Sequence, residues 1–421
     1  MKTQLMSQID AVAISQNEVA SLWRREEVVH PPDACCGATI VQLTSHIKMA
    51  TSIYCEDPFC SAVCGRIVVC RMNCPFPERW QTEIWVIDPS SRRSCLIESQ
   101  SEGWACGVAQ HAYSDFFFYS RLGANGDREW VRLCLSTLKK QVVAALNPYC
   151  MLAGPGSVSP DSRFIVFGTN PKGRLYQSGI QQVLVVDVEN GQSTVIAEGE
   201  DLINPHPRFD RVNGERVLIQ QNRGQRWMEG RVADFETYDA SLGATLFLAH
   251  REGGGRQELP IARPNIPHRI SGHEAWVKGE MEFLYSSGIA DGCYNDGRRS
   301  GNLLSYHLGD KRPRVVAHDP GTYYGHVSTS FCGKYWVCDA WSWNFPQPLE
   351  FCVSKIVIGS INSGKFSTLC DVGALDAIFE EGHAHPYMTA DNQRVIFGSM
   401  RTGTPQVYAA EIPKGFLDAL A

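Results

Sequence analysis

No stretch of the chain approaches the run of about 18 uncharged apolar residues that a membrane-spanning helix needs, which excludes a transmembrane helix. The first 33 residues, "MKTQLMSQIDAVAISQNEVASLWRREEVVHPPD", lack a continuous apolar core and do not read as a secretory signal. These two absences make a cytoplasmic location the expectation. Positive charge is also short. Lys and Arg number 39 against 45 Asp and Glu, a net charge of -6, so there is no basic footprint for nucleic acid. Neither nucleic acid nor a membrane is an expected partner. A polyanionic substrate would have to be met by local arginines or by a metal.

Paired C-x-x-C knuckles are missing although the chain has 16 cysteines. Those from Cys35 to Cys74 (Cys35, Cys36, Cys55, Cys60, Cys64, Cys70 and Cys74) include several inside apolar strand-like runs such as "RIVVCRM". They read as reduced, mostly buried thiols rather than a zinc site. Without a secretion signal, a disulfide scaffold is not expected. Histidine is scarce, with 12 in 421 residues, and its placement is therefore informative.

What the chain does contain is a repeat. A small or polar turn precedes an apolar strand, a second strand follows, and then comes a hairpin. The clearest copy is "SVSPDSRFIVFGTN" followed by "QQVLVVDVENGQSTVIAEG", in which Asn-Gly between two apolar runs is a strong hairpin signal. The same grammar recurs from "YCEDPFCSAVCGRIVVCRM" to "GHAHPYMTADNQRVIFGSM" in seven units of roughly 40 to 60 residues, which predicts an all-β, seven-bladed β-propeller. The last unit lacks its final strand, and "TIVQLTS" at 39–45 is placed to supply it and so remove an exposed sheet edge. The expected organisation is a short N-terminal helical leader over 1–38 and the propeller over 39–421. An open array of β-sandwiches is the structural alternative, disfavoured by the regular period.

In a propeller the first strand of each blade lines the central channel. His206, His273, His326 and His385 each precede or begin such a strand, each after Gly, Pro or Ala, and His383 lies two residues before His385. Histidines at equivalent positions of different blades must converge around the axis. On an extended strand a spacing of two points both side chains to one face. Three imidazoles from His326, His383 and His385, with Glu380 as an oxygen ligand, suit Mn, Fe, Ni or Zn. The bland reading is a rim of hydrogen-bonded histidines. His273 in "SGHEAW" is placed for a proton-abstracting base, or for a further ligand or a plain backbone contact. His206 and Arg208 in "NPHPRFD" read as substrate contacts or as packing. Arg208, Arg223 and Arg269 are candidate carboxylate clamps, since guanidinium binds carboxylate bidentately. Tyr323, Tyr324 and Trp276 read either as a sugar-stacking wall or as blade packing. The Gly- and Asp-rich insertion at 288–302 reads as a loop over the site or a long hairpin.

The motifs "SGHEAW", "YGHVSTSFCGKYWVCDAW" and "EEGHAHPYMTADNQRVIFGS", in that order, resemble the oligogalacturonate lyase family, a seven-bladed propeller related to that of the Tol transport system. The resemblance covers about residues 39–413 and is strongest over 270–400. It implies a manganese ion held by His326, His383 and His385, with the family's glutamine position falling on Glu380. It implies His273 as the base. The family's arginine falls near Thr245, where no arginine stands, and Arg223 or Arg269 would take its part. The implied activity is metal-dependent cleavage of short uronate-containing oligosaccharides by β-elimination, with an acidic oligosaccharide as the partner. A non-catalytic scaffold or sugar-sensing protein, and a metal-assisted lyase or hydrolase on another sugar acid or glycoside, are the alternatives.

Overall fold

The computed structural model describes residues 23–421 except 26, 73–81, 100–106, 124–125, 127, 147–150, 171–178, 229–230, 233–242, 263, 266–267, 291–299, 321, 343–352 and 374–381. Glu380 and most of the 288–302 insertion therefore lie outside the described residues.

The chain folds as antiparallel meanders of up to four strands, nearly all β. Met49–Thr51, Ile67–Met72, Thr82–Asp88 and Arg93–Ser99 form one sheet in sequence order. The next eight strands, Val108–Gln110 through Ser193–Gly199, are two such meanders hydrogen-bonded into one sheet. Their inner strands, Val108–Gln110 and Met151–Val158, pair in parallel through Ala109↔Gly156 and Gln110↔Ser157. Further four-stranded sheets start at Arg208–Phe209, His268–Trp276 and Thr322–Thr329. The last contains Tyr387–Met388, Arg394–Ser399 and Gln406–Glu411, and Ile40–Gln42 from the other end of the chain completes it by pairing with Gln406–Glu411. That closure is the one expected of "TIVQLTS".

The repeated turn has a physical cause. After several inner strands a polar residue bonds back across a short turn, as Ser159 N–H does to Phe164 O, Ser330 to Tyr335 O and Thr389 to Arg394 O, at 2.8–2.9 Å. Hydroxyls and carboxylates inside the turn, such as Asp161 and Asp391, take up the remaining backbone N–H groups. The Asn-Gly hairpin forms as expected, with Gly191 at φ 71° between Gln181–Asp187 and Ser193–Gly199. The apolar faces of adjacent sheets fill the spaces between them. One such cluster packs Val41 of the closing strand on Trp85, Ile67 and Val69 of the first sheet and on Ile396 and Val407 of the last.

The helical leader is corrected over its described part. Trp23–Arg25 and Val28–Val29 are short edge strands, added to Arg93–Ser99 and to Ile40–Gln42; residues 1–22 lie outside the described residues. The one helix among the described residues, Phe416–Leu420, is at the C-terminal end, where Phe416 and Leu417 pack on the cluster around Val337 and Leu420. No described helix is long and apolar enough to cross a membrane. The thiols are buried only in part: Cys55, Cys60 and Cys70 are buried, Cys36 and Cys64 half-buried and Cys35 exposed, all free.

Candidate metal centre

Five histidines meet where the inner strands begin. His206 precedes Arg208–Phe209, His385 precedes Tyr387–Met388, His273 lies within His268–Trp276 and His326 within Thr322–Thr329. Three of them hold a left-handed backbone, with φ of 41° at His206, 59° at His273 and 39° at His385. Only nine non-glycine described residues do so, and the left-handed region is strained for side chains with a Cβ. Such strain persists where surrounding structure over-determines it, commonly at functional sites. His383 and His385 therefore do not converge by strand alternation, as the spacing of two suggested. The strand begins only at Tyr387, and a left-handed turn at His385 aims the ring. Gly398 on the neighbouring strand permits that turn. Its N–H donates to Ala384 O at 2.7 Å, and a Cβ there would lie 2.6 Å from His383 O.

His326 is the most firmly fixed. A register shift between Tyr324 and Val327 bends its strand. The His326 backbone N–H donates to Asp339 Oδ1 at 2.6 Å, and its Nδ1 lies 2.9 Å from Asp339 Oδ2. Gly325 makes room for this, since a Cβ would lie 2.5 Å from Asp339 Oδ1 and 3.1 Å from Trp341 Nε1. Burial alone would raise the Asp339 carboxyl, but the His326 charge, its two hydrogen bonds and Trp341 outweigh it and lower the pKa. The carboxylate thus holds the ring through Nδ1, the carboxylate–histidine contact that orients a metal-ligating histidine.

The His326 ring centroid is 4.2 Å from that of His385 and 5.2 Å from that of His383, and one nitrogen of each ring lies within 4.8 Å of the others. His385 is 2% exposed with no hydrogen-bond partner on either nitrogen. Burial, then the neighbouring His326 and His383, hold its pKa well below the ordinary value, so it is a neutral donor. An orphaned buried imidazole beside two others, one of them carboxylate-anchored, is a donor set that fits a divalent transition metal.

A second group adjoins the first. Glu56 is fully buried; its Oε1 is 2.9 Å from His206 Nδ1 and its Oε2 2.7 Å from Arg208 Nη2. The Tyr54 hydroxyl is 3.0 Å from His273 Nδ1. The Tyr54 ring stands amid the histidines, with centroids 4.5 Å from His385, 5.4 Å from His206, 6.1 Å from His326 and 6.4 Å from His273. His273 and His326, at 4.3 Å, join the two groups. Burial, then His326 and His206, push the His273 pKa well down, so this imidazole is uncharged at neutral pH. Glu274 next to it is fully buried with neither carboxyl oxygen bonded, and burial followed by the charge of Glu56 raises its pKa well above the ordinary range.

Several sequence expectations change. Arg208 does reach the histidines, but as the partner of Glu56 and of the Pro155 and Pro207 carbonyls rather than as an open clamp. Arg223 donates from Nε to Gly243 O on the adjacent strand, at 3.1 Å. Arg269 falls in His268–Trp276, and its side chain lies outside the described residues. Thr245 is buried in Gly243–His250, paired with Gln221. Tyr324 is no sugar platform. It is 1% exposed, with Trp336 and Phe366 at 6.2 Å from its ring. Trp276 is likewise packed, on Phe283 at 5.3 Å, and Tyr323 packs on the cluster containing Trp341. The aromatic ring that does face the site is Tyr54, which sequence reasoning missed together with Glu56 and Asp339. The first two stand in "YCEDPFC", read for its cysteines, although the repeat puts that segment in register with "NPHPRFD" and "SGHEAW".

The fold and the site together define an all-β protein of repeated meanders with a buried histidine-rich centre able to hold a metal. No family model matches the sequence, and no curated protein is similar to it in sequence. Solved structures are similar in fold. An oligogalacturonate lyase in complex with manganese superposes at a TM-score of 0.68 with 17% identity, over 94% of this chain and 98% of that one. An oligogalacturonate lyase from Vibrio parahaemolyticus does so at 0.66 with 15% identity, over 94% and 99%.

Proposed function

We propose that the protein is a metal-dependent carbon–oxygen lyase that cleaves short uronate-containing oligosaccharides by β-elimination, acting in the cytoplasm in the breakdown of pectin-type saccharides. The single observation that carries this reading is the meeting of His326, His383 and His385, with His326 anchored on Asp339, beside the neutral His273. The fold likeness to oligogalacturonate lyases, one a manganese complex, supports it and favours Mn2+ as the cation. The meanders support a reading as seven blades over residues 39–421; in this proposal 1–38 remains a leader whose strands Trp23–Arg25 and Val28–Val29 add to two sheet edges. Glu380, three residues before His383, completes the ligand set in this proposal.

A cation held by those histidines supplies Lewis-acid stabilisation of the charge that builds on a uronate carboxylate as its α-proton leaves. The rest falls to the chain itself. His273, kept uncharged by burial, takes the proton from carbon five at its lone-pair nitrogen. The electrons left on carbon five form the double bond to carbon four, and the bond from carbon four to the leaving oxygen breaks. Tyr54 and Glu56 hold His273 and His206 in place; Arg208 fixes Glu56. Incubation with uronate oligomers and Mn2+ is expected to raise the ultraviolet absorbance of an unsaturated uronate end, and His273→Ala to lower the rate by at least 10²-fold. A wild-type protein inactive on every uronate oligomer would sink the reading. One that still binds them would favour a sugar-sensing scaffold, to which the engagement of Arg208 by Glu56 also points.

A further inference from the structure

The proposed reaction uses only one member of the second donor group for chemistry. Yet Glu56, His206 and His273 bring a carboxylate oxygen and two imidazole nitrogens within 4.8 Å of one another. Glu56 Oε1 is 2.9 Å from His206 Nδ1 and 3.9 Å from His273 Nδ1, and Tyr54 Oη is 3.0 Å from that same His273 nitrogen. Donors that share one ion at about 2.0–2.2 Å lie roughly 3–4 Å apart, and these three separations of 2.9, 3.9 and 3.0 Å match that spacing. Arg208 engages Oε2 at 2.7 Å, which leaves Oε1 to the imidazoles. The left-handed backbones of His206 and His273 aim both rings inward.

A second, independent observation is Glu274. Its carboxyl is fully buried beside His273 with both oxygens unbonded. The charges of Glu56 and Asp57 are matched by the buried guanidinium groups of Arg208 and Arg211, so Glu274 is left as an unpartnered buried carboxyl group next to His273.

We propose that Glu56, His206 and His273 form a second divalent-cation site of the two-histidine, one-carboxylate type, adjoining the His326–His383–His385 site, with Tyr54 Oη as the nearest further oxygen. In the metal-free state a ring proton bridges His206 Nδ1 and Glu56 Oε1; a cation takes its place and the proton is released. The functional consequence rests on the lyase reading. A neutral imidazole has one lone-pair nitrogen. Once a cation takes Nδ1 of His273, the ring proton sits on Nε2 and no basic nitrogen remains. The first equivalent of metal then activates and the second inhibits.

The test is a Mn2+ titration of metal-stripped protein by calorimetry, with electron paramagnetic resonance on the same samples. The expected result is two equivalents of different affinity. The second broadens the six-line Mn2+ spectrum by coupling to the first, because two-metal sites hold their ions about 3.5–4 Å apart. His206→Ala and Glu56→Gln should each remove one equivalent and keep the other; the pair guards against one variant failing to fold. A wild-type stoichiometry of one, or two equivalents that survive both substitutions, overturns the proposal and leaves the Glu56–His206 contact a plain hydrogen bond. Product formation measured across the titration should rise and then fall. Two bound equivalents with no product at any metal level would sink the lyase reading while leaving the second site intact.

Discussion

At the scale of single residues, Asp339 controls the centre without being a ligand itself. It takes both the backbone N–H and the ring Nδ1 of His326, and so decides which ring nitrogen remains a donor. Asp339→Asn keeps the shape but removes the charge, and an amide can present its NH2 to Nδ1, which permits the wrong tautomer. Partners of this kind typically contribute 10- to 100-fold in metal affinity. Asp339→Asn is therefore expected to weaken Mn2+ binding by about that factor, read by calorimetry, while far-ultraviolet circular dichroism stays that of the wild type. Unchanged affinity would show that His326 is oriented by its strand alone. This residue was not legible in the sequence: an aspartate in "WVCDAW" looks like any strand residue until the register places Asp339 under Gly325 and His326. The histidines were legible, because few residue types mean as much when scarce and repeated at one position. Glu56 and Tyr54 were not, because their unit carries no histidine and its cysteines drew the reading.

At the scale of elements, the repeat was readable because each meander carries its own turn chemistry. Ser-Pro-Asp-Ser at 159–162, Asn-Gly at 190–191 and Thr-Ala-Asp-Asn at 389–392 each stand beside an apolar run. The described part of the leader was misread because strands of two or three residues, such as Val28–Val29, are too short to show a period of two. They exist only because a neighbouring edge offers backbone partners. The parallel joint between Val108–Gln110 and Met151–Val158 was unreadable for a related reason, since it is set by the packing of two meanders and not by either one's pattern. The closing strand was readable and is testable. Val41 is 3% exposed and packs between the first and last sheets. Val41→Asp places an unpaired charge in that seam and is expected to cost about 3 kcal/mol or more, seen as a lower urea midpoint. A variant with an unmoved midpoint would mean that Ile40–Gln42 pairs with Gln406–Glu411 without holding the ring shut.

At the scale of the whole molecule, the centre is assembled from segments far apart in the chain. Tyr54 and Glu56 come from the first sheet, His206 and Arg208 from the fourth meander, and His273, His326 and the pair His383 and His385 from the last three. The floor beneath them is cross-linked in the same way: the Tyr113 hydroxyl faces the carbonyls of Thr329 and Met388 at 3.0 and 3.1 Å, and Arg211 reaches Thr329 Oγ1 and Glu56 O at 2.8 and 2.9 Å. No unfolded chain presents such a donor set, so metal affinity is linked to folding. A ligand bound by the native state alone stabilises it by about 2.7 kcal/mol when present at 100 times its dissociation constant. Mn2+ is therefore expected to raise the midpoint of thermal unfolding of the metal-stripped protein, and a chelator to reverse the rise. His385→Ala should remove most of that shift, because it takes away the buried imidazole that has no hydrogen-bond partner in the metal-free state. The same substitution makes the opposite expectation distinguishable. If the histidines are only a packed polar rim, His385→Ala opens a small cavity that lowers the midpoint by the same amount with and without metal. Whether the drop differs between the two conditions, not the size of either shift, thus reports whether these strained backbones were shaped around a cation.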